Sequence, residues 1–191
     1  MLKRIWIGLL CILLLAVTLK EEGVGLPTNP TGYVVDSGGP TAYGIDTPTL
    51  EHAHRLGLTA ATEVTQLTPL DVGRIYEALY WDTSRAADIP APLDLAHFDA
   101  FVNMQPWEAW KVLQRALGVA DDGVPGPVTM DAAGAGDPLV AAEAQLQQRV
   151  AVYRQIATHT PSEAKCLREW LVRCQHIATA CGVADPTREQ A

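Results

Sequence analysis

Residues 137–158 read DPLVAAEAQLQQRVAVYRQIAT, and this stretch decides the fold. Asp137 offers a side-chain acceptor just before Pro138, whose fixed φ suits the first helical position. Leu146, Val150 and Tyr153 then recur at spacings of four and three, which is one stripe of a long helix. The same period appears on both sides. Leu95, Phe98 and Val102 mark a helix over 93–103, and Trp110, Leu113 and Leu117 mark one over 106–117 that Gly118 ends. Leu167, Trp170, Leu171, Cys174 and Ile177 mark a last helix stopping at Gly182. Upstream, Thr47-Pro48 opens a helix that Gly57 closes, and Thr68-Pro69-Leu70-Asp71 is a capped start leading into 72–81. The segment from Asp121 to Pro127 is a turn between helices. Only 23–44 is rich in turns, with two short strand-like pieces, Tyr33-Val34-Val35 and Thr41-Ala42-Tyr43. The expected body is mainly α, with a small β-hairpin or loop element near its start.

The chain has 191 residues, 48% hydrophobic and 19% charged, which excludes both a disordered and a wholly membrane-embedded protein. Its net charge of −8 counts against nucleic-acid binding, which requires a basic face. Lys3, Arg4 and Lys20 all flank the first segment, so the body from residue 21 onward is more acidic still. An anionic membrane surface would repel that body, and attachment rests on the first twenty residues. Residues 5–19 carry no charge and follow the basic start Met1-Leu2-Lys3-Arg4, the pattern of an export signal oriented N-in, C-out. No clean small-x-small cleavage site follows, so an uncleaved N-terminal hydrophobic helix is expected, with a cleaved signal peptide as its rival. Fifteen residues rise about 22 Å against a hydrocarbon core of about 30 Å, a weak anchor.

Four cysteines are present: Cys11 in the apolar run, and Cys166, Cys174 and Cys181 near the end. An oxidising compartment favours pairing Cys166 with Cys174 or Cys181, while the helical stripe makes Cys174 a small apolar core residue. Cys174 and Cys181 stand seven apart, about 10 Å along a helix, too far to share a zinc ion. No metal and no organic cofactor are implied.

Unusual polar residues concentrate in two places, Glu21-Glu22-Gly23 and Asp36-Ser37-Gly38-Gly39-Pro40-Thr41. Cleaving a glycosidic bond takes one carboxylic acid to protonate the leaving oxygen and a second polar group opposite it. A Glu after one helix and an Asp/Thr pair on the next hairpin meet that need; the plainer alternative is a solvated Glu22 and a turn-capping Asp36. Asp36-Ser37-Gly38-Gly39-Pro40 also imitates the nucleophile segment of trypsin-like proteases. A helical chain with no His before Ser37 excludes that reading. His52 and His54 point to different faces of a helix, and His97, His159 and His176 are isolated.

The order Glu22-Gly23, Asp36-Ser-Gly-Gly-Pro-Thr41-Ala-Tyr-Gly44-Ile45, Ile75-Tyr76, Tyr80-Trp81 and Phe98-Asp99-Ala-Phe-Val102-Asn103 resembles the glycoside hydrolase family 108 lysozymes. Leu113-Gln114-Arg-Ala-Leu117, Asp122-Gly123, Gly126-Pro127, Thr129 and Trp170-Leu171-Val-Arg173 resemble the peptidoglycan-binding domain that follows them. Three features depart from the family pattern: Val24 replaces a glycine, the stretch between Glu22 and Asp36, Val24 to Val35, is expanded, and Val102-Asn103-Met104-Gln105 lacks a glycine.

The apolar run makes 1–20 a signal-anchor, and the polar end makes 183–191 a loose tail. The resemblance implies a lysozyme-like catalytic region over 21–112 and a helical peptidoglycan-binding region over 113–182. It makes Glu22 the catalytic acid, with Asp36 and Thr41 orienting water or stabilising the developing cation. Tyr43, Tyr76 and Tyr80 would line a sugar groove, whereas Trp81 reads as core. The implied activity is that of a phage-type endolysin, hydrolysing the β-1,4 bond between N-acetylmuramic acid and N-acetylglucosamine in host lysis. A murein hydrolase serving secretion and a non-catalytic wall-binding protein are the alternatives. The short anchor resembles signal-arrest-release endolysins. The expected partners are peptidoglycan and, through residues 5–19, the inner membrane, followed by release of a monomer into the periplasm.

Overall fold

The computed structural model describes residues 29–36 and 39–188. Residues 5–19, Glu22 and Cys11 lie outside them. The chain divides into two compact units, Met1–Thr83 and Ser84–Ala191. The family resemblance changes near residue 113 instead, so packing and motif order divide the chain differently.

The first unit carries an antiparallel meander, β1 (Val34–Asp36), β2 (Gly39–Ala42) and β3 (Ile45–Asp46), in the order β1-β2-β3. Its register sets Val34 opposite Thr41, Asp36 opposite Gly39, and Ala42 opposite Ile45. Asp46 ends the sheet and caps α1 (Thr47–Arg55), its carboxylate accepting from the Thr49 N–H at 2.9 Å. That helix buries Leu50 and Ala53. It closes at Gly57, φ +71°, with the Leu58 N–H bonded to the Ala53 carbonyl and the Gly57 N–H to that of His54.

A reciprocal Thr68–Asp71 capping box starts α2 (Pro69–Tyr76). The expected helix over 72–81 is not α-helical throughout: Glu77–Trp81 forms a wider π turn, in which the Asp82 N–H bonds to the Glu77 carbonyl at 2.9 Å. The buried positions explain it. Val72, Ile75 and Tyr76 face the core, and a five-residue step from Tyr76 brings Trp81 onto the same buried side. Trp81 is a core residue, 1% exposed, as its sequence context suggested.

The second unit is helical. Its centre is α3 (Leu93–Asn103), whose residues Leu93–Phe101 are all buried. Helix α4 (Pro106–Ala116) follows, then α5 (Pro127–Ala135), the long α6 (Pro138–His159) and α7 (Leu167–Cys181). Helices α6 and α7 both pack on α3, which is why α3 lacks a polar face. His97, Phe101 and Trp110 form an aromatic cluster between α3 and α4, with the His97 and Trp110 rings 4.4 Å apart.

The residues that carry the second resemblance are a structural knot. Buried Gln114 donates from Nε2 to Asp122 Oδ1 at 2.7 Å and to the Val124 carbonyl at 3.0 Å. Its Oε1 accepts from the Gly123 N–H at 2.8 Å. Gly123 sits at φ +76°, where a Cβ would come within 3.0 Å of the Trp107 carbonyl, so only glycine fits. One side chain thus folds the loop from α4 into α5.

Cys166, Cys174 and Cys181 are free thiols. The expected pairing fails because Cys174 is buried beside Val150 and Tyr153, while the Cys181 Sγ reaches the Pro92 carbonyl at 3.6 Å. The segment expected as a loose tail is tied down as far as Thr187. Gln175 Nε2 donates to Thr187 Oγ1 at 2.8 Å, and the Arg154 guanidinium donates to the Thr187 carbonyl at 3.1 Å. Among the described residues no helix is long and apolar enough to cross a membrane.

Candidate active site

In the first unit the candidate residues gather on the meander. Asp36 ends β1, and Thr41 lies mid-β2 between Val34 and Asp46. Val34 pairs with Thr41 and is two residues before Asp36, so the Asp36 and Thr41 positions share one face of the hairpin. Thr41 is half-buried, and Tyr33, Val34 and Val35 beside it are exposed, an open apolar edge next to a polar position.

The β2–β3 turn is Tyr43-Gly44, with φ +54° and +71°. Two positive φ values in a two-residue loop are the type I′ geometry, which normally takes Asn-Gly. A tyrosine in that place costs about 1–2 kcal/mol, and the surroundings hold it there. The Tyr43 N–H donates to the Thr31 carbonyl at 2.6 Å, and the Tyr76 hydroxyl donates to the Tyr43 carbonyl at 2.9 Å. Backbone strain that is over-determined from both sides is typical of functional sites.

Tyr76, expected in a sugar groove, is 1% exposed and presents no surface to a sugar; it is the strut under the turn. Tyr80, in the π turn, is half-buried, its ring 5.2 Å from that of Tyr76. Thr31, Tyr33, Ala42, Tyr43 and Leu67 line a small cavity of about 110 Å³ beside the strained turn. The proposed acid, Glu22, lies outside the described residues.

The second unit holds a group of charges that periodicity did not reveal. Asp99, on α3, is fully buried and receives Arg149 of α6 at 2.7 Å. It also receives Arg173 of α7, whose guanidinium donates to Oδ1 at 2.8 Å and Oδ2 at 3.0 Å. Burial would raise the Asp99 carboxyl, but the Arg173 and Arg149 charges outweigh it and bring it down to about 2. Arg149 also donates to the Tyr153 hydroxyl at 2.8 Å, and that hydroxyl donates to Asn103 Oδ1. Arg149 is the residue that sequence reasoning missed, although it falls on the buried Leu146–Tyr153 stripe, where a charge demands a partner.

Above this network runs a groove of about 640 Å³, lined by Asn103, Met104, Trp107, Ile156, His159 and Trp170 among others. Trp107 is 55% exposed, and Trp170 stacks on Tyr153 with ring centroids 4.9 Å apart.

Comparison with known proteins divides the chain after α3 and not at the boundary between the compact units. Residues 15–104 match the family model described as Glycosyl hydrolase 108, and residues 108–175 match the one described as Predicted Peptidoglycan domain. A solved structure titled "Structure of Brucella abortus SagA" is 29% identical, with a TM-score of 0.62 over 84% of this chain and 90% of that one. No curated protein matches the chain. The hydrolase match runs through the meander, the strained turn and α3, and the peptidoglycan match takes up where α4 begins. The chain therefore carries a glycosyl hydrolase 108 domain, which makes it a lysozyme-like glycoside hydrolase, followed by a peptidoglycan-binding domain.

Proposed function

We propose that the chain is a muramidase that cuts the β-1,4 bond between N-acetylmuramic acid and N-acetylglucosamine, with Glu22 as general acid. Glu22 protonates the leaving oxygen, which requires a carboxyl kept neutral near pH 7 by an apolar setting. Asp36 and Thr41 serve the opposite side of the bond, where Asp36 faces the developing cation and Thr41 positions water. The observation that carries this is the register placing Asp36 and Thr41 on one hairpin face beside an over-determined Tyr43-Gly44 turn. Tyr43 and Tyr80 border the sugar path.

In this reading the protein acts in host lysis, as an endolysin. Residues 5–19 first hold it N-in, C-out in the inner membrane, and release delivers a monomer to the periplasm. Only Lys20 and Glu21 separate the apolar run from Glu22, so the tethered acid sits against the bilayer, away from Asp36. The short run supports escape, since mismatch costs fractions of a kcal/mol per Å.

Digestion of purified sacculi followed by borohydride reduction tests the bond: muramitol ends support the reading, and reduced glucosamine ends refute it. Glu22→Gln should lower hydrolysis by about 10²-fold or more with folding retained. Loss with Glu21→Gln instead would move the acid. Fractionation before and after an uncoupler should shift full-length chain from membrane to periplasm; a shortened form from the outset would remove the tether.

A further inference from the structure

The groove of the second unit is built for more than packing. It is walled by apolar and aromatic groups from α3, α4, α6 and α7, and one polar group in it is held in a fixed state. Asn103 Oδ1 accepts from the Tyr153 hydroxyl and from Arg149 at 3.5 Å. Both partners are donors toward it, because Tyr153 already accepts from Arg149. The amide is therefore locked with its oxygen toward the buried network and its NH₂ available. Asn103 Nδ2 has no protein partner among the described residues, and Asn103 lines the groove. The buried ion cluster thus presets a hydrogen-bond donor at a water-accessible wall.

The rings are the second feature. Trp170 lies over Tyr153, and Trp107 stands 55% exposed with the Lys111 ammonium 5.1 Å from its ring centroid. Flat indoles beside uncharged polar groups, Gln105 and Gln155 among them, suit a ligand with apolar C–H faces and hydroxyl or amide edges. The one carboxylate on the wall, Glu108, is already engaged by Arg115 at 3.1 Å. An apolar helix laid here would bury the Asn103 donor without an acceptor, an unfavourable exchange.

We propose that this groove binds a glycan strand of peptidoglycan, Trp107 and Trp170 stacking on its pyranose rings while Asn103 Nδ2 donates to an N-acetyl carbonyl. The volume lies within the range of small-ligand sites. The groove takes Asn103 and Met104 from the hydrolase match and Glu108 to Trp170 from the peptidoglycan match, so the two matched regions share one binding surface. The proposal rests on peptidoglycan being the substrate, as argued above, and adds where the strand is held away from the bond being cut.

The test uses full-length protein in mild detergent, with pelleting on insoluble sacculi at 4 °C and fluorescence titration with N-acetylchitotetraose and its de-N-acetylated counterpart. Trp107→Ala should weaken sacculus binding about tenfold at unchanged melting temperature, and Trp107→Phe should recover most of it. Asn103→Asp keeps both acceptor contacts but loses the NH₂, and should abolish the preference for the N-acetylated tetramer. Wild-type binding by Trp107→Ala and Asn103→Asp overturns the groove while leaving the hydrolase reading intact. A fall in melting temperature for Trp107→Ala with binding preserved also overturns it, and points to an apolar segment such as residues 5–19 as the occupant. A wild-type protein that neither hydrolyses nor binds sacculi refutes both.

Discussion

Arg173 grips both carboxylate oxygens of Asp99 from a helix 74 residues downstream, at 2.8 and 3.0 Å, with the carboxylate fully buried. Arg149 holds the same carboxylate from a second helix. One anion thus neutralises part of two buried cations. Asp99→Ala leaves both guanidiniums without their counter-charge and should cost about 3–5 kcal/mol. Urea unfolding of the variant checks this, and a loss under 1 kcal/mol would show that the cluster contributes little.

Acid should unfold the protein in two stages. Burial pushes His97 down to about 3, so it stays neutral in the fold while the unfolded chain takes up a proton below about pH 6.5. Stability is therefore full above that pH and falls as pH drops, by up to about 1.4 kcal/mol per unit. Asp99, held at about 2 by its arginines, adds a second loss below about pH 4. Melting temperature against pH should show both, and His97→Gln should flatten the upper stage.

Tyr76→Phe removes the hydroxyl that supports the Tyr43 carbonyl and keeps the ring in the core. The stranded carbonyl should cost about 1–3 kcal/mol, and murein hydrolysis should fall because the turn next to Thr41 loosens. Normal turnover in a stable Tyr76→Phe would take the turn out of the mechanism.

Thiol labelling separates the cysteines. Cys166 is half-buried and should react in the native protein. Burial pushes the Cys181 thiol up to about 12 and raises that of Cys174, so both should react only after unfolding. Fast native labelling of all three would contradict their placement.

Most helices could be read from caps and stripes, because burial on one face leaves a period of 3.6 in the residues. Helix α5 could not, since only Thr129 and Ala133 are buried along it and Val128 is 68% exposed. The π turn escaped for a related reason: the step from Tyr76 to Trp81 is five, which an α period does not contain. The hairpin was visible as Val34-Val35 and Thr41-Ala42 on either side of a Gly-rich stretch of sequence, but its third strand is only two residues long. Of the candidate site, Thr41 and Tyr43 were named through motif order, whereas Tyr76, named with them, is buried, because an aromatic at helical spacing reads the same in a wall and in a core. The ion cluster joins three distant stretches, and distance in space leaves no local period. Asp99 and Arg173 stood in separate motifs with nothing to join them, and Arg149 showed only as a charge inside an apolar stripe.

The partners of Asp99 lie 50 and 74 residues further along the chain. During synthesis at about 5–20 residues per second, Asp99 waits about 4–15 seconds for Arg173 to be made. The second unit is therefore sealed by its final helix, and until then the nascent chain has reason to stay open. A stop codon shortly before position 173 would remove little of the sequence and yet leave a buried acid and Arg149 short of their closing charge. Loss of the last helix should read in a cell as loss of the whole second unit, through quality control, rather than as a trimmed protein.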